Sequence, residues 1–483
     1  MEAGLAAELR SAREWIDARA PEIVALNDRI WRWAEPGLRE YRSAAALCGF
    51  LRDAGFMVEE GVAGMPTAFV GTWGSDGPLI AMMAEYDATP GDSQAAVPYP
   101  APLDPDRGGF PDLHCGIGTA SVAAAAAAAA ALERHALRAR LKVFGTPAEK
   151  ICVGKPFLAR DGYFDGLDAV LAWHPRAYTT LEWDSGPGCY QAEVFDFEGV
   201  SVYGSSPWGG VSALDALTLM NVIVQYQREH IPRRYWASVN ELITSGGQHP
   251  TALPPFAQVW YVYRSPLREG IVHVQEMLGR AAEAACLALG AKYRRRMVAS
   301  ARPWLPNHAL ARLVYRNLER VGPPRFPPEM KAMGREVLRA LGLPDDPEPF
   351  DERLSPPEAG VSAPSAGGAD DVTEFCWHAP TARLYVTYGL RAGRLPNWAG
   401  AAFASTPVAH ATVLTAARTL ALSAVDLAQH PEELAAAWAE WRERTAERHL
   451  PPLLPPEAAP PVDLSFAPHY PRGWRPPADR DEE

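Results

Sequence analysis

At 483 residues the chain is too long for one compact core, because single cores stop growing at roughly 250–300 residues, so at least two domains are expected. A hydrophobic share of 48% with 22% charged residues is ordinary globular composition, and the formal net charge of −12 argues against phosphate backbones and anionic lipid surfaces as partners: neither nucleic acid nor membrane is expected. Six scattered cysteines without a CxxC pair read as small buried hydrophobes, and no apolar leader or span follows the amphipathic opening MEAGLAAELRSAREWIDARA, so the chain reads as cytoplasmic.

Helical spacing runs from Ile23 to Trp33 and again from Ala44 to Ala54, followed by strand-like TAFVGTW and LIAMMAEYD. The alanine run SVAAAAAAAAALERHAL carries neither Gly nor Pro and predicts a helix, alanine having the highest helix propensity. LKVFGTPAEK and DAVLAWHP read as buried strands ending in polar loops. This is the alternation of an open α/β sheet, which places its ligands beyond the carboxyl ends of its strands, so catalytic groups are expected in those loops.

From Tyr190 the stretches YQAEVFDFEG, SALDALTLMNVIVQYQREH, AQVWYVYRSP and VHVQEMLGRAAEAACLAL read as strand, helix, strand, helix. After Trp304 long helices and α/β material return, closing in the apolar HATVLTAARTLALSAVDLA. The predicted architecture is therefore a two-domain α/β protein: an open α/β catalytic domain over 1–189 and 301–449, a smaller α+β domain inserted at 190–300, and a proline-rich tail, 450–483, that is extended or loosely draped and carries no chemistry.

Five motifs occur in order: EYDATPG, GTPAEK, WHP, SPWGGVSALDALTLMN and GADDVTEFCW. On these, from about Trp15 to Trp441, the chain resembles the zinc-dependent aminoacylase and carboxypeptidase amidohydrolases, peptidase family M20, and most of all their aminobenzoyl-glutamate hydrolase branch. The resemblance implies a lid formed by the inserted domain, which also pairs two subunits. It implies two metal ions that hold a water and polarise an amide carbonyl, and a glutamate that takes the water's proton and returns it to the leaving amine.

Several positions depart from that pattern. Where the family's C-G-H turn supplies a thiolate and an imidazole, HCGIGTAS keeps Cys115 and has Ile117 in place of the imidazole, with His114 one residue before the cysteine. GTPAEK keeps the general base as Glu149 but has Lys150 where the second, metal-binding glutamate stands. An ammonium beside two divalent cations repels them by several kcal/mol at an effective dielectric of ~20. WHP keeps a ligand position as His174, while the last histidine of the family matches Pro396 or Asn397 in RLPNWAG. In the lid, Tyr203 stands where a histidine steadies the oxyanion across the dimer, and Thr251 where an asparagine is expected. Asp87, Asp371 and Arg264 keep the frame, and Glu85 stands where other branches place a metal histidine.

The resemblance and these departures lead to one preferred reading. An amidohydrolase-like cleft works without a metal cofactor, with Glu149, Lys150, His174 and Tyr203 as catalytic groups and with Asp87, Cys115, His114, Thr251, Arg264 and Asn397 on the substrate side. It makes or breaks a C–N bond, amide or imine, in a small amino-acid-derived substrate of a biosynthetic pathway, the imine route requiring that burial lower the pKa of Lys150. The alternatives are an N-acyl amino acid hydrolase with one zinc on Cys115, His174 and His114 or Asp87, and an inactive relative serving as a binding or pairing subunit. A homodimer through the lid is expected, since apolar strands such as AQVWYVYR otherwise leave a sheet edge open.

Overall fold

The structure is a computed structural model that describes residues 5–104, 107–359, 368–393, 395–446 and 450–464. Helices α1 (Ala7–Ala18), α2 (Ala20–Trp33) and α3 (Tyr41–Asp53) precede strands β1 (Met57–Glu60), β2 (Phe69–Trp73) and β3 (Leu79–Ala84). They are followed by α4 (His114–Arg134), β4 (Arg140–Gly145), α5 (Gly154–Arg160), β5 (Ala169–Arg176) and β6 (Thr180–Leu181). The inserted unit comprises β7 (Cys189–Glu198), α6 (Ala213–Arg228), β8 (Ser238–Ser245), β9 (Phe256–Ser265), α7 (Arg268–Leu289) and β10 (Lys292–Ala301). The chain then returns through α8 (His308–Val321), α9 (Pro328–Ala340), α10 (Thr373–Cys376), β11 (Thr381–Thr387), α11 (Asn397–Ala401), α12 (Pro407–Gln429) and α13 (Pro431–Ala446).

The main sheet runs β1-β2-β4-β3-β5-β11-β6, and its central strands β4, β3, β5 and β11 are parallel. Strands buried on both faces need near-continuous apolar runs, which LIAMMA and AVLAWHP supply. Small residues bring α4 close to its neighbours. A Cβ at Gly116 would lie 2.7 Å from Val413 of α12, and one at Gly118 would lie 2.7 Å from the carbonyl oxygen of Glu85, so the helix start packs directly onto the end of β3. The two helices apolar and long enough to cross a bilayer, α4 and α12, are mostly buried within the protein, as core helices are.

The inserted unit differs from the strand-helix-strand-helix expectation by two further strands. Its antiparallel sheet runs β10-β7-β9-β8, backed by α6 and α7 around a separate apolar core. β10 was hidden by its arginines: Arg295 pairs with Glu193 of β7, and Arg296 with Asp463 far along the chain. That last contact also corrects the tail. Over its described residues it is held in place, with Leu454 and Leu464 buried and Arg39 donating to the carbonyl oxygens of Val462 and Leu464. All six cysteines are free and buried.

Candidate active site

The carboxyl ends of the parallel strands converge on one cleft. β3 runs into Glu85 and Asp87, β4 into the loop carrying Glu149 and Lys150, and β5 ends with His174 and Arg176. Glu149 opens a single 3-10 turn, Glu149–Ile151, between two left-handed residues, Ala148 (φ 57°) and Cys152 (φ 52°). The buried Glu40 carboxylate accepts the Ala148 N–H at 2.8 Å, fixing a turn whose backbone is otherwise unfavourable.

At the centre stands Lys150. Its Nζ donates to Asp112 and lies 2.7 Å from His114 Nε2 and 3.6 Å from Glu149 Oε2, while its backbone N–H donates to Asp87 Oδ2 at 2.9 Å. Burial alone would lower the lysine's pKa. Asp112, then Glu149 and Asp87, outweigh burial and raise it, so the side chain is a firmly held ammonium. Imine formation needs a free amine, and that arm of the expectation is set aside. Burial opposes charge on His114 while Asp112 and Asp87 draw its pKa well above the usual histidine range, yet beside the Lys150 ammonium at 2.7 Å there is room for only one proton between the two nitrogens. The ammonium donates it, His114 Nε2 accepts, and the histidine proton sits on Nδ1 facing Asp87 Oδ1 at 2.8 Å.

Glu149 is 8% exposed, and burial followed by repulsion from Asp370 lifts its pKa to about 7. His174 is held well below the usual histidine range by burial and by Arg176 and Arg383. A neutral ring carries its proton on Nδ1, against the Pro175 carbonyl at 2.8 Å, and presents Nε2 as an acceptor. The cleft has a volume of about 1100 Å³. Its walls include Asp112, Glu149, Lys150, His174, Arg264 and Asn397.

Several expected residues lie elsewhere. Cys115 is fully buried with its Sγ 4.0 Å from the Ala404 carbonyl, and its thiol is pushed far up by burial, so it takes no part in the cleft. Ile117 is equally buried, its carbonyl accepting from the Trp173 indole. The reason is the start of α4 at His114: successive helical residues point about 100° apart, so a His114 turned to the cleft turns Cys115 away. The pair that meets the Lys150 ammonium is Asp112 and His114, separated by one residue like the cysteine and histidine that the resemblance implies, three positions earlier than the motif reading places them. Asp87 and His114 stand behind the cleft wall, and Asp87 orients the imidazole instead of lining the substrate space.

Tyr203 and Thr251 sit together on the lid, joined by the Gly204 N–H donating to the Thr251 carbonyl at 2.9 Å. Both are exposed and away from this chain's own cleft, Tyr203 by 73%. Asn397 lines the cleft and donates to Asp92 at 2.8 Å.

The motif reading passed over Asp112, Lys155, Arg176, Glu182, Asp370 and Tyr385. The Asp112-x-His114 spacing carried a signal, and Asp370 stands inside GADDVTEFCW beside the expected Asp371; the others belong to no motif and are gathered by the sheet. Asp370 pairs with Arg383, and the Tyr385 hydroxyl donates to Glu182, whose pKa burial lifts to about 7.

Two donor groups come within metal-binding distance among the described residues: Glu85, His114 and His174, and Glu85, Asp370 and Asp371, with ligand atoms inside 4.8 Å. Neither fits a metal ion as the side chains stand. Lys150 Nζ already occupies the His114 nitrogen that would face an ion, and Lys155 Nζ lies 2.7 Å from Glu85 Oε1 and bonds Asp371.

Fold and cleft together define an amidohydrolase-type enzyme: a two-domain α/β catalytic protein with an inserted lid. No protein-family model matches the chain. It is 30% identical over 436 residues to a component of the p-aminobenzoyl-glutamate hydrolase of Escherichia coli (strain K12), covering 85% of this chain and 90% of that one. The Xaa-Arg dipeptidase of Mus musculus is 30% identical over 303 residues, 58% of this chain and 64% of that protein. Among solved structures, the aminobenzoyl-glutamate utilization protein from Klebsiella pneumoniae superposes with a TM-score of 0.59 at 17% identity, covering 86% of this chain and 97% of that one. The Bacillus subtilis YXEP protein, described as a dinuclear metal binding peptidase, gives 0.50 at 16% identity over 86% and 99%. The chain belongs to the M20 family of amidohydrolases and peptidases.

Proposed function

We propose that this enzyme hydrolyses, or in the reverse direction forms, the amide C–N bond of a small acylated amino acid, with the Lys150 ammonium acting where its relatives use metal charge. The observation that carries this is the seat of Lys150 Nζ, bonded to Asp112 and within 3.6 Å of the Glu149 carboxylate. An ammonium has three donors: Asp112 and His114 take two, and the third remains for a substrate oxygen. Glu149 accepts a proton from water as the water oxygen bonds the carbonyl carbon. Lys150 stabilises the oxyanion that forms. The C–N bond then breaks as Glu149 returns the proton to the departing nitrogen, while neutral His174 is placed to accept a hydrogen bond from water or amine through Nε2.

Arg176 and Arg264 support a carboxylate-bearing substrate. Their guanidinium carbons lie 5.0 and 5.3 Å from the Tyr385 and Tyr190 ring centroids, both arginines line the cleft, and neither forms an ion pair with a carboxylate among the described residues. The E. coli relative is named for an aminobenzoyl-glutamate, which is such an amide. Two copies pair through the lid in this reading, so that Tyr203 reaches the partner's cleft, and free buried cysteines suit a cytoplasmic setting.

The test is turnover of p-aminobenzoyl-glutamate and a panel of N-acyl amino acids by chelator-treated protein. Lys150→Ala and Glu149→Gln should each lower the rate by roughly 10²–10⁴ with little change in Tm. Full activity of Lys150→Ala, or activity abolished by chelator and restored by zinc, overturns the reading.

A further inference from the structure

Behind Glu149 the cleft floor holds a second lysine that the reaction above does not use. Lys155, in the first turn of α5, is fully buried, as are the Glu85 and Asp371 side chains it meets. Its ammonium bonds Asp371 Oδ1, its backbone N–H donates to Asp371 Oδ2 at 3.2 Å, and its Nζ stands 2.7 Å from Glu85 Oε1. Glu85 is the shared member of both donor groups: one oxygen faces Lys155, and the other lies 3.7 Å from His114 Nε2. Neither Glu85 oxygen receives a hydrogen bond of good geometry, although both are sealed from solvent. A carboxylate in that state needs a cation, and the chain supplies one of its own.

We propose that Glu85, Asp370 and Asp371 form a divalent-cation site that Lys155 keeps closed, so that the floor of the cleft is held together by a built-in ammonium in place of an ion. Asp370 keeps the Arg383 guanidinium and the Val372 N–H as partners, and the three carboxylates offer only oxygen donors, which suits a hard cation such as Mn²⁺ better than zinc. The inference rests on the reading in which Lys150 likewise stands in for metal charge, but it concerns a different lysine and a different donor group. A lysine whose only role were to fill space would leave no cation site behind when replaced.

The experiment is calorimetric titration of the chelator-treated full-length chain with MnCl₂, comparing wild type, Lys155→Gln and Lys155→Gln/Glu85→Gln. Lys155→Gln should bind one Mn²⁺ per chain at least tenfold more tightly than wild type, and the added Glu85→Gln should remove the gain. Where Lys155→Gln is insoluble, it is refolded with and without MnCl₂, and recovery only with the metal supports the site. No gain in affinity, no recovery under either condition, or stoichiometric manganese already bound by wild type overturns it. Lys150→Ala in the same set keeps the two readings apart: loss of its turnover alongside no manganese gain in Lys155→Gln sinks the closed site and leaves the proposed reaction standing.

Discussion

A single ionisation governs the proposed chemistry. Glu149 accepts a proton only as a carboxylate, and the groups facing it oppose one another: Asp370 and Glu85 raise its pKa, Lys150 and His114 lower it, and burial sets the net value at about 7. Below that pH the base is protonated, so kcat/KM should fall about tenfold per unit as pH drops under 7. Glu149→Asp should keep a measurable acid limb at much lower rate, whereas Glu149→Gln should abolish it. A profile flat from pH 5 to pH 8 in the wild type would exclude Glu149 as the base. The residues of this centre were unevenly legible. Glu149 and Lys150 follow a strand end and His174 lies within the last residues of β5, all in recognisable strings, whereas Asp112 lies two residues before His114 in a loop whose register only the start of α4 decides.

At the scale of elements, the reactive groups are positioned by a tight link between β4 and α5. A Cβ at Gly154 would lie 2.4 Å from the Pro147 carbonyl oxygen and 3.0 Å from the Pro147 nitrogen, backbone atoms that cannot swing aside. Gly154→Ala therefore pushes the 146–149 segment away, at a cost of about 1–3 kcal/mol of the kind overpacking brings. Tm should drop by several degrees, and turnover should fall further than stability alone explains, because Glu149 and Lys150 move with the segment. An alanine variant with unchanged Tm and rate would show that the link is slack. Lys155 is the clearest case of a residue without a sequence signal: in GKPFLAR it reads as an ordinary helical lysine, and only the docking of α5 beside β3 and α10 seals it between two acids.

The proposed dimer belongs to the whole molecule. Among the described residues β8 pairs on one side only, with β9, and it exposes Leu242 by 56% and Ile243 by 46%, while Trp208 on the same lid is 84% exposed. Apolar edges of this kind invite strand pairing with a second chain. Light scattering at micromolar concentration should report a dimer, and Leu242→Glu should shift it to monomer. With Tyr203 acting in the partner's cleft, the monomeric variant should also lose turnover at an unchanged Tm. A monomeric wild type would withdraw Tyr203 from catalysis.

The sequence by itself determined the α/β class, the inserted second sheet and the strand ends that carry chemistry, because hydrophobic periodicity and motif order are local properties of the chain. It also carried a lysine at position 150, where the resemblance implies a carboxylate. Tertiary structure alone decided which side chains meet. It turned Cys115 into the core, brought Asp112 and His114 onto the Lys150 ammonium, and closed Lys155 over Glu85 and Asp371. Those outcomes depend on helix start points and on the docking of elements tens to hundreds of residues apart, and charge pairing in a buried floor is settled by that geometry, not by spacing along the chain.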